Sequence, residues 1–106
     1  MNETRIYVGL NDSETLTQKF DTEKYIGIMK NICRSYRVAF SFSVQQGGYF
    51  HEDGRYTQEN TLVISLIDAD SAIVSEIAKD LCAFFHQESV MITESPVKVC
   101  FINEQL

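Results

Sequence analysis

Alternating apolar runs and two apolar stripes at helical spacing follow one another in the order β-α-β-β-α-β, which predicts an α+β domain. Two amphipathic helices on one face of a four-stranded antiparallel sheet make the ferredoxin-like βαββαβ sandwich, here with an extra C-terminal strand. At 106 residues the chain fits a single domain, 1–106, with no room for a second core.

The first strand is Thr4-Arg5-Ile6-Tyr7-Val8-Gly9-Leu10, with Ile6, Val8 and Leu10 on one face. Asn11-Asp12-Ser13 ends it, and 14–20 form a polar connection. Asp21 is placed to cap the first helix, with Phe20 and Tyr25 as a hydrophobic staple. Tyr25, Ile26, Met29, Ile32, Cys33 and Tyr36 then form its buried stripe. Lys30, Arg34 and Arg37 suit the negative end of the helix dipole and read as solvated charges.

Residues 38–67 read as a long hairpin, Phe40, Phe42 and Val44 alternating outward and Leu62, Ile64 and Leu66 on the return. A two-residue turn at Asp53-Gly54 pairs Glu52 with Arg55 and sets Val44 against Val63, which places the two apolar sets on opposite faces. A one-residue slip corrects this, and a bulge at Gly47-Gly48 is expected to supply it and bend the tip away from the sheet. The second helix begins near Asp70 or Ser71, buries Ile73, Val74, Ile77, Ala78, Leu81, Phe84 and Phe85, and ends around His86-Gln87. Ser89–Thr93 is the next strand. Ser95-Pro96 then breaks the chain before a further alternating run, Val97–Ile102.

Composition narrows the class. Apolar residues at 44% and charged residues at 23% belong to an ordinary globular protein, and no apolar run reaches the length of a membrane span. The N-terminus lacks a signal-peptide pattern, so a cytoplasmic location is expected. Cys33, Cys82 and Cys100 are widely spaced, without CxxC or Cys/His spacing, and read as buried free thiols. Net charge is −6, shared as +1 over residues 1–50 and −7 over 51–106. An acidic half repels phosphate backbones, so broad nucleic-acid binding is disfavoured, although a carboxylate-rich face could imitate nucleic acid towards a basic protein groove.

The sheet face away from the helices carries Arg5, Tyr7 and Gly9 from the first strand, and Ser41, Ser43, Gln45, Thr61, Val63, Ser65 and Ile67 from the hairpin. Such a mixed surface needs a cover, and homodimerisation through it is expected. Arg5 and Tyr7 project together, roughly 7 Å apart along the strand. A guanidinium clamps carboxylate or phosphate and a phenol stacks on planar groups; the plainer reading is a cross-strand or interface pair. At the hairpin tip, His51, Glu52 and Asp53 point in alternating directions and do not converge on a metal. Tyr49, His51, Arg55 and Tyr56 could instead form a lid over a ligand. His86-Gln87-Glu88-Ser89 reads as a helix ending, with Gln87 a further ligand candidate. Ser89 lacks nucleophile-elbow glycines, and Gly47-Gly48 lacks the lysine and helix of a phosphate loop. No cofactor is expected.

Thr4–Leu10, Gln87-Glu88-Ser89-Val90 and Pro96–Phe101 together resemble a family of short bacterial and phage proteins of unknown function, with the patterns TRxYxGL and QESVxxxxxPVxVxF. The resemblance covers roughly a quarter of the chain and leaves 45–60 unmatched. It implies the same fold, a non-secreted setting and a phage or mobile-element origin, and it implies no activity.

The leading expectation is a small non-enzymatic, dimeric binding protein that sequesters an anionic nucleotide-type signal or blocks a host protein. Arg5, Tyr7, Tyr49, His51, Arg55, Tyr56 and Gln87 are its candidate ligand-binding residues. The alternatives are a cofactor-independent enzyme using His51 or His86 as general base, and a structural or assembly subunit.

Overall fold

The computed structural model describes residues 1–104. Strand β1 (Asn2–Gly9), helix α1 (Thr22–Ser35), strands β2 (Ser41–Phe50) and β3 (Tyr56–Ile67), helix α2 (Ser71–Phe84) and strand β4 (Met91–Pro96) follow in that order. The sheet is antiparallel throughout, with strand order β2-β3-β1-β4. This is the ferredoxin-like α+β sandwich that the sequence pattern predicts.

Each sheet residue falls on one of two faces, because side chains alternate along a strand. Ile6, Val8, Leu10, Leu62, Ile64 and Leu66 point towards the helices. There they meet Tyr25, Met29, Ile32 and Cys33 of α1, and Val74, Ile77 and Leu81 of α2. Burying each of these larger side chains is worth about 1.5–3 kcal/mol. The opposite face carries the residues expected there: Tyr7 pairs with Val63, Gly9 with Thr61, and Ser43 with Val63.

Both helices end in the same way. Arg37 and His86 adopt left-handed backbone, with φ of 56° and 52°. The amides of Arg37 and Val38 bond the carbonyls of Arg34 and Cys33, and those of His86 and Gln87 bond Ala83 and Cys82. These are Schellman closures, and the second explains the His86-Gln87 stretch as a helix ending. At the N-termini the two helices differ. Asp70 caps α2, accepting from the amides of Ala72 and Ile73 at 2.8 and 3.3 Å. Asp21 occupies the cap position of α1 but its side chain makes no cap bond, so entry there rests on the Phe20–Tyr25 ring contact at 6.1 Å.

Phe84 of the expected α2 stripe is 63% exposed rather than buried, and three further expectations need correction. The ladder between β2 and β3 runs without interruption from Ser41↔Ser65 to Phe50↔Tyr56, so no bulge forms at Gly47-Gly48. The slip that sets Val44 against Leu62 is made at the tip instead. There the Gly54 amide donates to the His51 carbonyl at 2.9 Å and the His51 amide to the Arg55 carbonyl at 2.8 Å. Gly54 has φ 89°. A three-residue loop built on a type I turn followed by left-handed glycine shifts the pairing by one residue relative to a two-residue Asp-Gly turn. Second, the run Val97–Ile102 forms no strand: after the Val97 amide bonds the Met1 carbonyl at 2.9 Å, residues 98–104 are not paired in the sheet. Phe101 and Ile102 stand 84% and 92% exposed. Third, only Cys33 is buried, its thiol pushed up to about 11 by desolvation; Cys82 is half-buried and Cys100 exposed.

The hairpin continues past the end of β1 as a two-stranded arm, from Gln46↔Asn60 to Phe50↔Tyr56, and draws the molecule out to 60 × 27 × 26 Å. Among the described residues, no helix is long and apolar enough to cross a membrane.

Candidate functional site

At the point where β1 ends and the hairpin arm leaves the sheet, the backbone of three segments converges. They are the loop after β1, the β3 segment Gln58–Thr61, and the junction Gln87–Ser89 between α2 and β4. Asn11 ties the first two together: its amide donates to Glu59 Oε2 at 3.1 Å and its side-chain Nδ2 to the Gln58 carbonyl at 3.0 Å. Gln87 ties in the third, donating from Nε2 to the Asn11 carbonyl at 2.6 Å and to the Phe85 carbonyl at 3.2 Å. The Ser13 amide adds a bond to the His86 carbonyl at 3.1 Å.

Three cavities open around this junction, of about 430, 410 and 460 Å³. These are sizes typical of small-ligand sites. Glu59 lines all three. The first is also lined by Asn11, Asp12, Leu16, Tyr49, Gln87, Glu88 and Ser89. The second lies on the open sheet face between Tyr7, Gly9, Gln45, Gly47, Thr61 and Met91. The third runs along Leu16, Thr17, Gln18, Gln46, Gln58 and Asn60.

Glu59 reaches this position because Gly9 has no side chain. A Cβ at Gly9 would stand 2.5 Å from Glu59 Oε2 and 2.6 Å from its Cδ. The carboxylate therefore lies flat over the last residue of β1, half-buried and held by the Asn11 amide. Beside it, Asp12 accepts from the amides of Glu14 and Thr15 at 2.9 and 3.3 Å and pairs with Lys19 at 3.3 Å. The Glu14 amide bond, with those of Thr15 and Lys19, holds the Asp12 carboxyl below its ordinary value against the opposing effect of desolvation. Among the described residues, no lysine or arginine lines any of the three cavities, while Asp12, Glu59 and Glu88 do. Lys19 offsets the charge of Asp12, so the negative field there comes from Glu59 and Glu88 and suits a cation.

The residues proposed from sequence divide into three groups. Tyr7, Tyr49 and Gln87 line the cavities. Arg5 shares the face of Tyr7 but pairs with Glu3 at 2.8 Å, and its pKa is raised first by Tyr7 and then by Glu3. The remaining three lie along the arm. His51 bonds Thr57 Oγ1 at 2.7 Å and packs on Tyr49 with ring centroids 5.1 Å apart. Arg55 is held by Asp53 at 2.6 Å. Tyr56 is on the other face of the arm, against Phe50 at 5.1 Å and over Gly48. The straight ladder does not fold these groups over the sheet. His86 lines a separate, smaller cavity with Lys19, Phe20, Tyr25 and Phe84.

Sequence reasoning missed Glu59, Asn11 and Leu16. Glu59 shares the parity of Thr61 and Val63 and so falls on the open face, a signal that was available; its contact with Gly9 depends on the β1–β3 register.

No family model and no curated relative matches the chain. Solved structures do. A phage S-adenosylmethionine (SAM) lyase in its apo state is 25% identical, with a TM-score of 0.70, over 89% of this chain and 78% of that one. A phage SAM lyase in complex with S-methyl-5'-thioadenosine is 26% identical, with a TM-score of 0.68, over 89% and 79%. The periplasmic divalent cation tolerance protein CutA from Archaeoglobus fulgidus is similar in fold alone, at 13% identity, a TM-score of 0.57, and 93% and 87% coverage.

Proposed function

We propose that this chain binds S-adenosylmethionine in the Glu59 cavities and cleaves it to S-methyl-5'-thioadenosine. The observation that carries the reading is the charge of the site: Glu59 lines all three cavities and Glu88 the first, with no basic residue among the described lining. An anionic nucleotide would be repelled there. A nucleoside bearing a sulfonium is instead attracted, and the likeness to a phage SAM lyase, one form of which holds S-methyl-5'-thioadenosine, supports that ligand class. The nucleotide-like ligand and phage setting expected from sequence are kept; the anionic character and Arg5 as its clamp are replaced.

The chemistry balances without a cofactor. The bond that breaks joins the sulfonium to the terminal carbon of the aminobutyryl chain, and both its electrons stay on sulfur as a neutral thioether. The carbon released is taken either by the substrate's own carboxylate oxygen, closing a five-membered lactone, or by loss of a proton from the neighbouring carbon. Ring closure needs no protein base, which suits a lining that contains neither histidine. The site's task is then to hold the chain curled with its carboxylate behind the carbon–sulfur bond, an orientation effect that can supply much of a barrier reduction. A carboxylate near the sulfonium binds the substrate more tightly than the transition state, where the positive charge is fading. Glu59 is therefore assigned to substrate capture rather than to acceleration.

A second copy of the chain is the proposed cover for the open sheet face, which exposes Met91 and Ile67 at 56% and 47%. Incubating the purified chain with SAM and separating products by chromatography tests the reading. Stoichiometric conversion to S-methyl-5'-thioadenosine, with homoserine lactone as the partner product, is expected. Tight binding without turnover would leave a sequestering protein, the reading the sequence alone favours. Neither binding nor turnover would refute both cleavage and sequestration of SAM.

A further inference from the structure

Leu16 is a leucine where the backbone favours glycine. Its φ is 58°, in the left-handed region that residues other than Gly, Asn and Asp rarely adopt. The loop around it is fully specified without its side chain. The Leu16 amide donates to the Asp12 carbonyl at 2.8 Å, the Asp12 amide donates to the Thr17 carbonyl at 2.9 Å, and the Asp12 carboxylate holds the amides of Glu14 and Thr15. Leu16 contributes nothing to the core, from which it is absent, and stands 39% exposed. It nonetheless lines two of the three Glu59 cavities, and it is the only aliphatic side chain described on either lining. Tyr49 is the only aromatic one.

Neither the core nor the loop's own hydrogen bonds give a reason for an apolar side chain on left-handed backbone beside a polar site. A ligand with a flat apolar surface does, since it removes that side chain from water only when bound. Of the parts of an adenosylsulfonium compound, the sulfonium and the ammonium suit the carboxylates, and the purine suits Leu16. Resting on the ligand reading above, we infer that Leu16 is a specificity-determining contact for the purine base, presented by the 12–17 loop opposite the hairpin arm.

Two variants separate this from a structural role. Leu16→Gly and Leu16→Asn both accept the left-handed backbone, so their melting temperatures should equal or exceed that of the wild-type chain. Calorimetric affinity for S-methyl-5'-thioadenosine should fall about tenfold in each, the scale of losing one partly covered leucine contact. Affinity for adenosine should fall in parallel. With SAM, KM should rise while kcat stays within about threefold, as expected when binding shared by ground state and transition state is removed. Undiminished affinity in the two variants would overturn this inference alone. So would a melting temperature that drops together with affinity, or a loss seen for S-methyl-5'-thioadenosine and not for adenosine. A wild-type chain that binds no adenosyl compound would overturn the ligand reading and this inference with it.

Discussion

Substituting alanine for Gly9 tests the geometry of the site with one methyl group. The new Cβ would stand 2.5, 2.6 and 2.8 Å from Glu59 Oε2, Cδ and Oε1, all inside any tolerable contact. Gly9 is not among the residues at positive φ, so alanine fits its strand backbone. The atoms that must give way are the end of a flexible side chain, and the carboxylate swings off β1. Replacing glycine within a strand gains about 0.5–1 kcal/mol. Losing the bond from the Asn11 amide to Glu59 Oε2 costs about 1.5–3 kcal/mol at most, less where water replaces it. Net stability should therefore change by no more than about 2.5 kcal/mol, and the fold is kept. Ligand capture should not survive so well. With Glu59 displaced, affinity for SAM by isothermal calorimetry should drop at least tenfold, and the variant should resemble one lacking the carboxylate. A Gly9→Ala protein that binds and turns over SAM like the wild-type chain would refute the placement of Glu59 at the centre of the site.

In Glu59→Gln, a carboxylate–sulfonium attraction of about 2–4 kcal/mol is lost, so SAM binding should weaken roughly 30- to 700-fold. Binding of the uncharged S-methyl-5'-thioadenosine should change far less, and equal losses for both compounds would contradict a charge role. Gly54→Ala forces a Cβ onto left-handed backbone at the hairpin tip; it should cost about 1–2 kcal/mol and lower the melting temperature by roughly 5–10 °C, with Gly54→Asn milder. Asp12 has a depressed pKa in the folded chain, held down first by the Glu14 amide. Its contribution is thus complete above the unfolded value of 3.8 and lost as pH falls through the lower folded value. Protection of the amides in the 12–17 loop, measured against the intrinsic exchange rate at each pH, should fall below about pH 4 in the wild-type chain, and Asp12→Asn should abolish that acid-dependent step. Cys100 should react at once with a thiol reagent at pH 8, and Cys33, 0% exposed with its thiol near 11, only on unfolding; prompt labelling of Cys33 would contradict the packing of α1.

Periodicity made the two layers legible because burial on one face imposes it. Ile6, Val8 and Leu10 on β1, and the stripes of α1 and α2, could belong only to sheet and helices packed on one side. Register was legible in its result but not in its cause. The pattern demanded that Val44 face Leu62, yet whether the extra residue sits in the strand or the turn depends on Gly54's backbone, where Asp-Gly serves two turn types equally well. The alternation at 97–102 describes a segment able to pair, and alternation alone does not supply it with a partner strand. Asp21 and Asp70 look alike in sequence, and only the second turns its carboxylate onto its helix.

The site divides along the same line. Tyr7, Tyr49 and Gln87 were recognisable as polar or aromatic groups on an open face or a junction. Arg5 and Arg55 drew notice for their charge, but each already has a carboxylate neighbour, Glu3 at 2.8 Å and Asp53 at 2.6 Å. Glu59 drew none, since one acid among Thr57, Gln58 and Asn60 reads as a solvated strand. Its importance comes from lying across Gly9, fifty positions earlier in the chain, and nothing local to either residue announces that contact. Leu16 is similar: an apolar residue within a polar connection carries no pattern until its backbone angle and its cavities are known.

Titrating the ¹⁵N-labelled chain with S-methyl-5'-thioadenosine and following its amide resonances addresses the location of the ligand without any substitution. Saturable shifts should concentrate on Gly9, Asn11, Leu16, Glu59 and Gln87, leaving α1 and the hairpin tip at 52–55 still. Shifts gathered instead at the tip or along the helices, or none at millimolar ligand, would contradict an adenosyl site built around Glu59.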